Sequence, residues 1–354
     1  MNKLLHIRRL LTAALLAAAS ILAVIINREK CADGIINGLD LCGRALLPSV
    51  LPFMIISSFS VKSGAAELIG KLIDKPCKLI FKISGQSAAV VIIGMLGGYP
   101  VAAKGLEALR ESGIITEREA AKTALAAVCS GSGFTVSFVG ASLLNSPEIG
   151  TAIFISQILS VIILLFANRF IFADRDEYIS ISELKTQNLS DSFIESVSGA
   201  TNAAVEMCAM VIVFSAINSI LGERLPFLSV ILEVTNACNI LCKNNNILLL
   251  AFAIGFGGIS VHFQILQSLR KIKISFSLFF VFRIIQGLLT TALAFAFIKT
   301  FKLSSPVFSS ISTMPRLGLS TSITGSILLI LTGISLIYNF HKRGEYNVRN
   351  SRNA

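Results

Sequence analysis

The sequence predicts an all-α polytopic membrane protein, with about eight transmembrane helices plus two re-entrant or broken helical hairpins in two related repeats. Three observations predict it. The 354 residues are 54% hydrophobic and only 14% charged, where a soluble domain is nearer a quarter charged. The apolar residues fall in long runs: 10–26, 149–168 and 323–339 contain no charged side chain, and a helix needs about 20 such residues to cross a bilayer. Two further apolar segments are each broken by a Gly-Gly pair.

Residues 1–44 read as an N-terminal anchor helix and a surface segment. Lys3, Arg8 and Arg9 precede the run 10–26. The bulky Val24-Ile25-Ile26-Asn27 offers no small-x-small cleavage site, so the run reads as an uncleaved anchor rather than a signal peptide. Residues 45–168 form the first repeat, with spans at 45–61, 123–143 and 149–168 and a broken segment at 87–103. Between them, 62–86 sets Lys62, Lys71, Lys75, Lys78 and Lys82 among Leu, Ile and Phe, the pattern of a basic amphipathic stretch on the membrane surface. A polar loop, 169–192, leads to the second repeat, 193–300, with spans at 200–221, 226–242 and 276–298 and a broken segment at 247–262. Residues 301–354 hold a last span, 323–340, and a basic tail.

The net charge is +11. Lys and Arg cluster beside hydrophobic ends, which fits positive-inside bias. The absence of Trp and of any aromatic-basic face argues against nucleic acid as a partner. With the N-terminus in the cytoplasm and both broken segments dipping back, 23 of the 31 Lys and Arg fall inside and 7 outside, and the C-terminus is cytoplasmic. If 247–262 crosses instead, the split is 19 to 11, so the rule favours the dip.

Chemistry of the enzymatic kind is not signalled. There are three His, and no HExxH or GxSxG motif. The seven Cys form no CxxC, and Cys238 and Cys242 share a helical face without a nearby His. No catalytic residue, metal or cofactor is expected.

The broken segments read Ile93-Gly94-Met95-Leu96-Gly97-Gly98-Tyr99-Pro100-Val101-Ala102-Ala103-Lys104 and Ile254-Gly255-Phe256-Gly257-Gly258-Ile259-Ser260-Val261-His262-Phe263-Gln264. Gly-Gly and Pro unseat helical hydrogen bonds. In lipid, the freed backbone must face protein or a water-filled cavity. Matched breaks in two halves of a chain point to a transporter's solute site. The residues Ser130-Gly131-Ser132-Gly133 read as a further broken span; no P-loop Lys follows them.

The runs 46–57, 97–104 and 257–264 resemble those of YlbJ-type sporulation integral membrane proteins, over roughly residues 40–300. The resemblance implies nucleoside-recognition (Gate) repeats, distant kinship to concentrative nucleoside transporters, and a role in spore formation at the cortex stage. It names no substrate.

Ionisable groups at membrane depth are functional candidates. Glu233, with Thr235 and Asn236, is expected to line a polar midplane cavity with the two tips. Gly97, Gly98, Tyr99, Pro100, Lys104, Gly257, Gly258, Ser260 and Gln264 complete the expected substrate-binding set. The bland alternative is that Glu233 or Glu206 pairs with Arg283 or Lys104. The expected partners are the lipid bilayer and a small solute, nucleoside-like or related to the cell wall; a homo-oligomer fits such folds. The competing reading is a scaffold for spore-envelope machinery that moves no solute.

Overall fold

The computed structural model of the chain describes residues 2–172, 188–221, 226–269 and 271–303, and the regular structure among them is entirely helical. The last predicted span, 323–340, and the basic tail lie outside the described residues, as does 173–187 of the predicted polar loop.

Helix α1 (Asn2–Ile26) is followed by α2 (Arg28–Leu41), a π-helical turn at Cys42–Leu46 and α3 (Leu47–Lys62), with no non-helical residue from α2 to α3. Then come α4 (Ala65–Phe81), α5 (Gly85–Gly97), α6 (Tyr99–Glu111), α7 (Glu117–Ala127), a π-helical segment at Gly133–Leu143 and α8 (Pro147–Ile171). After these stand α9 (Leu189–Leu221), α10 (Pro226–Leu232), α11 (Val234–Lys243), α12 (Ile247–Phe256), α13 (Gly258–Ser268) and α14 (Phe276–Thr300). Among the described residues four stretches are long and apolar enough to cross a membrane: α8, α9, α12 with α13, and α14. The bent pairs Leu10–Ile26 with Arg28–Arg44 (92°) and α3 with α4 (72°) raise the count to six if each is one span. The chain is a multi-pass membrane protein.

The 33-residue α9 runs antiparallel to the α2–α3 helix. Lys62 Nζ lies 2.8 Å from Glu195, at one end of the pair. At the other, Gly34 packs so closely that a Cβ there would sit 2.7 Å from Ala216 Cα. Small residues let helix backbones approach in this way, where lipid offers no hydrophobic drive for association.

The predicted hairpin at Gly97-Gly98 is present. Gly98 takes φ +88°, and α6 folds back on α5: Gly94 meets Ala102 and Gly105 meets Val90. The open end of the hairpin is pinned by acids. Glu119 accepts hydrogen bonds from Ser84 N and Ser87 Oγ, each at 2.7 Å, and Asp74 accepts one from Gly85 N at 2.9 Å. The amphipathic stretch is α4. Its Leu68, Leu72 and Leu79 face outward while Gly70 packs against the start of α5.

The break at Gly257-Gly258 behaves differently, and here the sequence expectation is corrected. α12 and α13 do not fold back but run on as one 22-residue apolar stretch, Ile247–Ser268. The loop after α13 nonetheless returns to the end of the bundle that holds the end of α6: Lys271 pairs with Glu111, and Lys273 N donates to Glu117. Both are possible because the turning back happens one element earlier. α9 starts at that same end, beside Lys62, and finishes at the opposite one. The short α10 and α11, which the sequence suggested were one span at 226–242, start and finish at the opposite end with Glu233 as their tip. At 1.5 Å per residue neither helix could cross a bilayer core of about 30 Å. The predicted span 123–143 is corrected as well: it is α7 and the π-helical segment, separated by the non-helical residues 128–131.

Candidate functional site: a buried polar layer where the broken helices meet

Each hairpin tip rests against an unwound stretch of its neighbour. At the first, Gly98 faces Gly131. A Cβ on Gly131 would come 2.7 Å from Leu96 O and 2.8 Å from Gly98 N, so backbone touches backbone. At the second, Gly258 (φ +74°) faces Glu233 and Val234, whose main-chain atoms lie 3.1–3.3 Å from where its Cβ would be. The tips are joined by Tyr99, which is buried and donates from Oη to Ile254 O at 2.8 Å, on the turn of α12 before the kink.

Backbone freed inside lipid needs partners, and the two tips find different ones. Beside the first, Gln157 of α8 accepts from Ser130 N at 3.2 Å and donates to Ser130 Oγ at 2.8 Å and Thr135 Oγ1 at 3.2 Å. Ser130 Oγ and Thr135 Oγ1 are 2.6 Å apart, and Ser160 Oγ of α8 meets Thr290 Oγ1 of α14 at 3.2 Å. This network is neutral and buried.

The second tip uses charge. Glu233 is extended (φ −152°, ψ 123°) and caps α11: its two oxygens accept from Thr235 N at 2.8 Å and Asn236 N at 2.7 Å. A carboxylate here satisfies first-turn N–H groups and sits at the positive end of the helix dipole. The opposite pole is served by Arg283 of α14. Its guanidinium donates to Val128 O and, at 2.7 Å, to Leu125 O, the carbonyls left open where α7 ends, and cations are stabilised there. Neither the predicted Glu233–Arg283 pair nor a Glu233–Lys104 pair forms among the described residues. Each charge is held by a helix end instead.

Several buried polar atoms around this layer have no hydrogen-bond partner: Ser260 Oγ, His262 Nδ1, Arg283 Nε and both amide atoms of Gln286. His262 bonds through Nε2 to Phe256 O at 3.1 Å, which leaves Nδ1 as an acceptor, and its ring lies edge-on to Phe256 and Phe279. Buried polar groups in proteins are nearly always satisfied, and these atoms are exceptions within a closely packed layer in which Glu233, Ser260, His262 and Gln286 are all buried.

Of the predicted substrate-binding residues, Gly97, Gly98, Tyr99, Glu233, Gly257, Gly258 and Ser260 come together at the two tips. Thr235 and Asn236 stand beside them, but their N–H groups are committed to Glu233, and the Asn236 side chain is committed to Ser215 of α9 (Nδ2 to Oγ, 2.8 Å). Pro100 and Lys104 face a separate cavity toward α3 and α9. Gln264 is half-buried, six residues beyond the kink and so about 9 Å along α13. Glu206 is exposed on α9. Sequence reasoning missed Gln157 and Ser160. Their only signal was a Gln and Ser inside an otherwise apolar span, whereas the Ser130-Gly131 break was legible and is present.

Residues 44–173 match the nucleoside recognition (Gate) family model. The chain is 22% identical over 299 residues to the sporulation integral membrane protein YlbJ of Bacillus subtilis (strain 168), covering 71% of this chain and 73% of that protein. No solved structure matches. The matched region takes in α3 through α8, and with it the first hairpin, the Ser130-Gly131 break and the Gln157 network.

Proposed function

We propose that the chain is a non-enzymatic, transporter-like membrane protein of spore formation that binds a small polar solute in the layer between the two hairpin tips. The likeness to a sporulation integral membrane protein supports the setting. One observation carries the solute site: two hairpin tips, entering from opposite ends of the bundle, meet unwound helices in a buried layer that leaves Ser260, His262 and Gln286 atoms unpartnered. In this reading α5–α6, α7 with the π-helical segment, and α8 form one repeat, and α10–α11, α12–α13 and α14 form its inverted counterpart. Solute sites at such repeat interfaces are built from half-helix ends. Gln286 and Ser260 would hydrogen-bond hydroxyl or amide groups of the solute. The Glu233 carboxylate, capped but uncompensated by a cation, would accept from solute hydroxyls or take up a coupling cation or proton. The cortex stage is the proposed point of action, and the N- and C-termini are proposed to be cytoplasmic, in keeping with the clustering of Lys and Arg beside hydrophobic ends.

Uptake into proteoliposomes, measured against a panel of nucleosides and cell-wall precursors, is the direct test. Wild-type protein should accumulate at least one solute, and Glu233→Gln and Gln286→Leu should each abolish this while still inserting. If Glu233→Gln and Asn236→Ala both sporulate fully and wild type moves nothing on the panel, the solute site is refuted and the scaffold reading stands.

A further inference from the structure

A second cavity, of about 200 Å3, lies between α3, α6 and α9, apart from the tip layer. Its walls are apolar, with Met54 and Val61 from α3, Pro100 and Val101 from α6, and Ala200 and Ala203 from α9. Gly199 leaves it open on the α9 side, where an added Cβ would touch nothing within 4 Å. Its polar groups are Ser58, Lys62 and Lys104. Lys62 is paired with Glu195 at 2.8 Å, whereas Lys104 has no acidic partner among the described residues. The cavity therefore carries one uncompensated positive charge beside a greasy trough.

The depth of Lys104 matters. It follows Gly98 by six residues and precedes the end of α6 at Glu111 by seven, which puts it about 10 Å from either. An ammonium at that depth is costly without a counter-charge, and its four-carbon stem lets it reach toward the headgroup level. From these features we propose that the cavity seats an anionic phospholipid from the leaflet at the α6 end. Its phosphate bonds Lys104 with help from Ser58 and Lys62, and part of one acyl chain lies along Met54, Val101 and Ala203. The lipid would sit against the outer wall of the first hairpin and brace it against α9. This site is independent of the solute reading, and either can fail without the other.

The test is lipid-dependent thermal unfolding of the full chain in nanodiscs of phosphatidylcholine with increasing phosphatidylglycerol, alongside native mass spectrometry of retained lipid. Wild type should show a saturable rise in melting temperature and keep one phosphatidylglycerol. Lys104→Gln should weaken the apparent affinity about fivefold, the factor expected for one basic residue beside anionic lipid, and Lys104→Arg should restore it. Gly199→Leu fills the trough without changing charge and should remove the retained lipid. Should Gly199→Leu fail to fold, the Gln and Arg variants at Lys104 decide the matter. An equal rise with phosphatidylcholine alone, an equal effect of inorganic phosphate, or unchanged lipid retention in Lys104→Gln would overturn the proposal.

Discussion

The two hairpin tips solve one problem with different side chains. Both expose backbone at membrane depth and both press it against an unwound neighbour. At the first, Gln157, Ser130 and Thr135 satisfy one another and the Ser130 N–H, Arg283 takes the carbonyls at the end of α7, and Ser57 Oγ beside Gly97 is left without a partner. At the second, Glu233 binds two N–H groups of α11, and the atoms left over on Ser260, His262 and Gln286 have no partner. A fully satisfied polar network rigidifies, whereas a partly satisfied one is poised to change with its contents. On the proposed reading, the second tip is the one that takes the solute.

That contrast can be broken by mutation. The largest effect should come from Gly131→Ala at the first tip, because its Cβ would lie within 2.8 Å of backbone atoms that cannot swing away. A loss of about 3 kcal/mol is expected, read as collapse of the monodisperse peak in detergent. Next is Arg283→Met, which strips the open carbonyls at the end of α7 of their donors and should cost about 2 kcal/mol in thermal unfolding. Gln157→Leu should cost about 1.5 kcal/mol by orphaning Ser130 N, without specific loss of solute binding. Glu233→Gln keeps the shape and one accepting oxygen, so stability should fall by only about 1 kcal/mol while binding is lost. If Gln157→Leu and Glu233→Gln reduce solute binding alike, the two tips are not specialised and the contrast is wrong.

The smallest effect lies at the surface, where the two halves touch. The hydrogen bond and charge of Lys271 hold the exposed Glu111 carboxyl below its ordinary value of 4.5. A depressed acid contributes stability that is present above its unfolded value and is lost as pH falls through the folded one. Unfolding profiles of wild type and Lys271→Ala should therefore coincide at strongly acid pH and separate only slightly above it, with the gap shrinking in high salt.

Much of this was readable in the chain. The apolar runs of α8, α9 and α14 read as spans, and Gly97-Gly98 and Ser130-Gly131 as breaks, because length, hydropathy and backbone freedom are local properties. The partnering of the breaks was not. Gly97-Gly98 and Gly257-Gly258 look alike in sequence, yet one reverses the chain and the other merely kinks it. In the proposed repeat, the element equivalent to the first hairpin is α10–α11, whose tip is marked by Glu233 rather than by glycine. A short apolar helix carries no record of whether it turns back, since that depends on which neighbour offers its unwound backbone a partner.

Sequence alone thus determined that this protein lives in the membrane, where its helices are interrupted, and which ionisable residues had to be explained. Only the tertiary structure decided that Glu233 and Arg283 hold helix ends rather than each other. It alone decided that Lys104 faces a different cavity and that Gln157 joins the polar network at the Ser130-Gly131 break. The physical reason is that a helix dipole is a partner no residue list contains: its charge comes from the arrangement of the backbone, and exists only once the breaks have been folded into place.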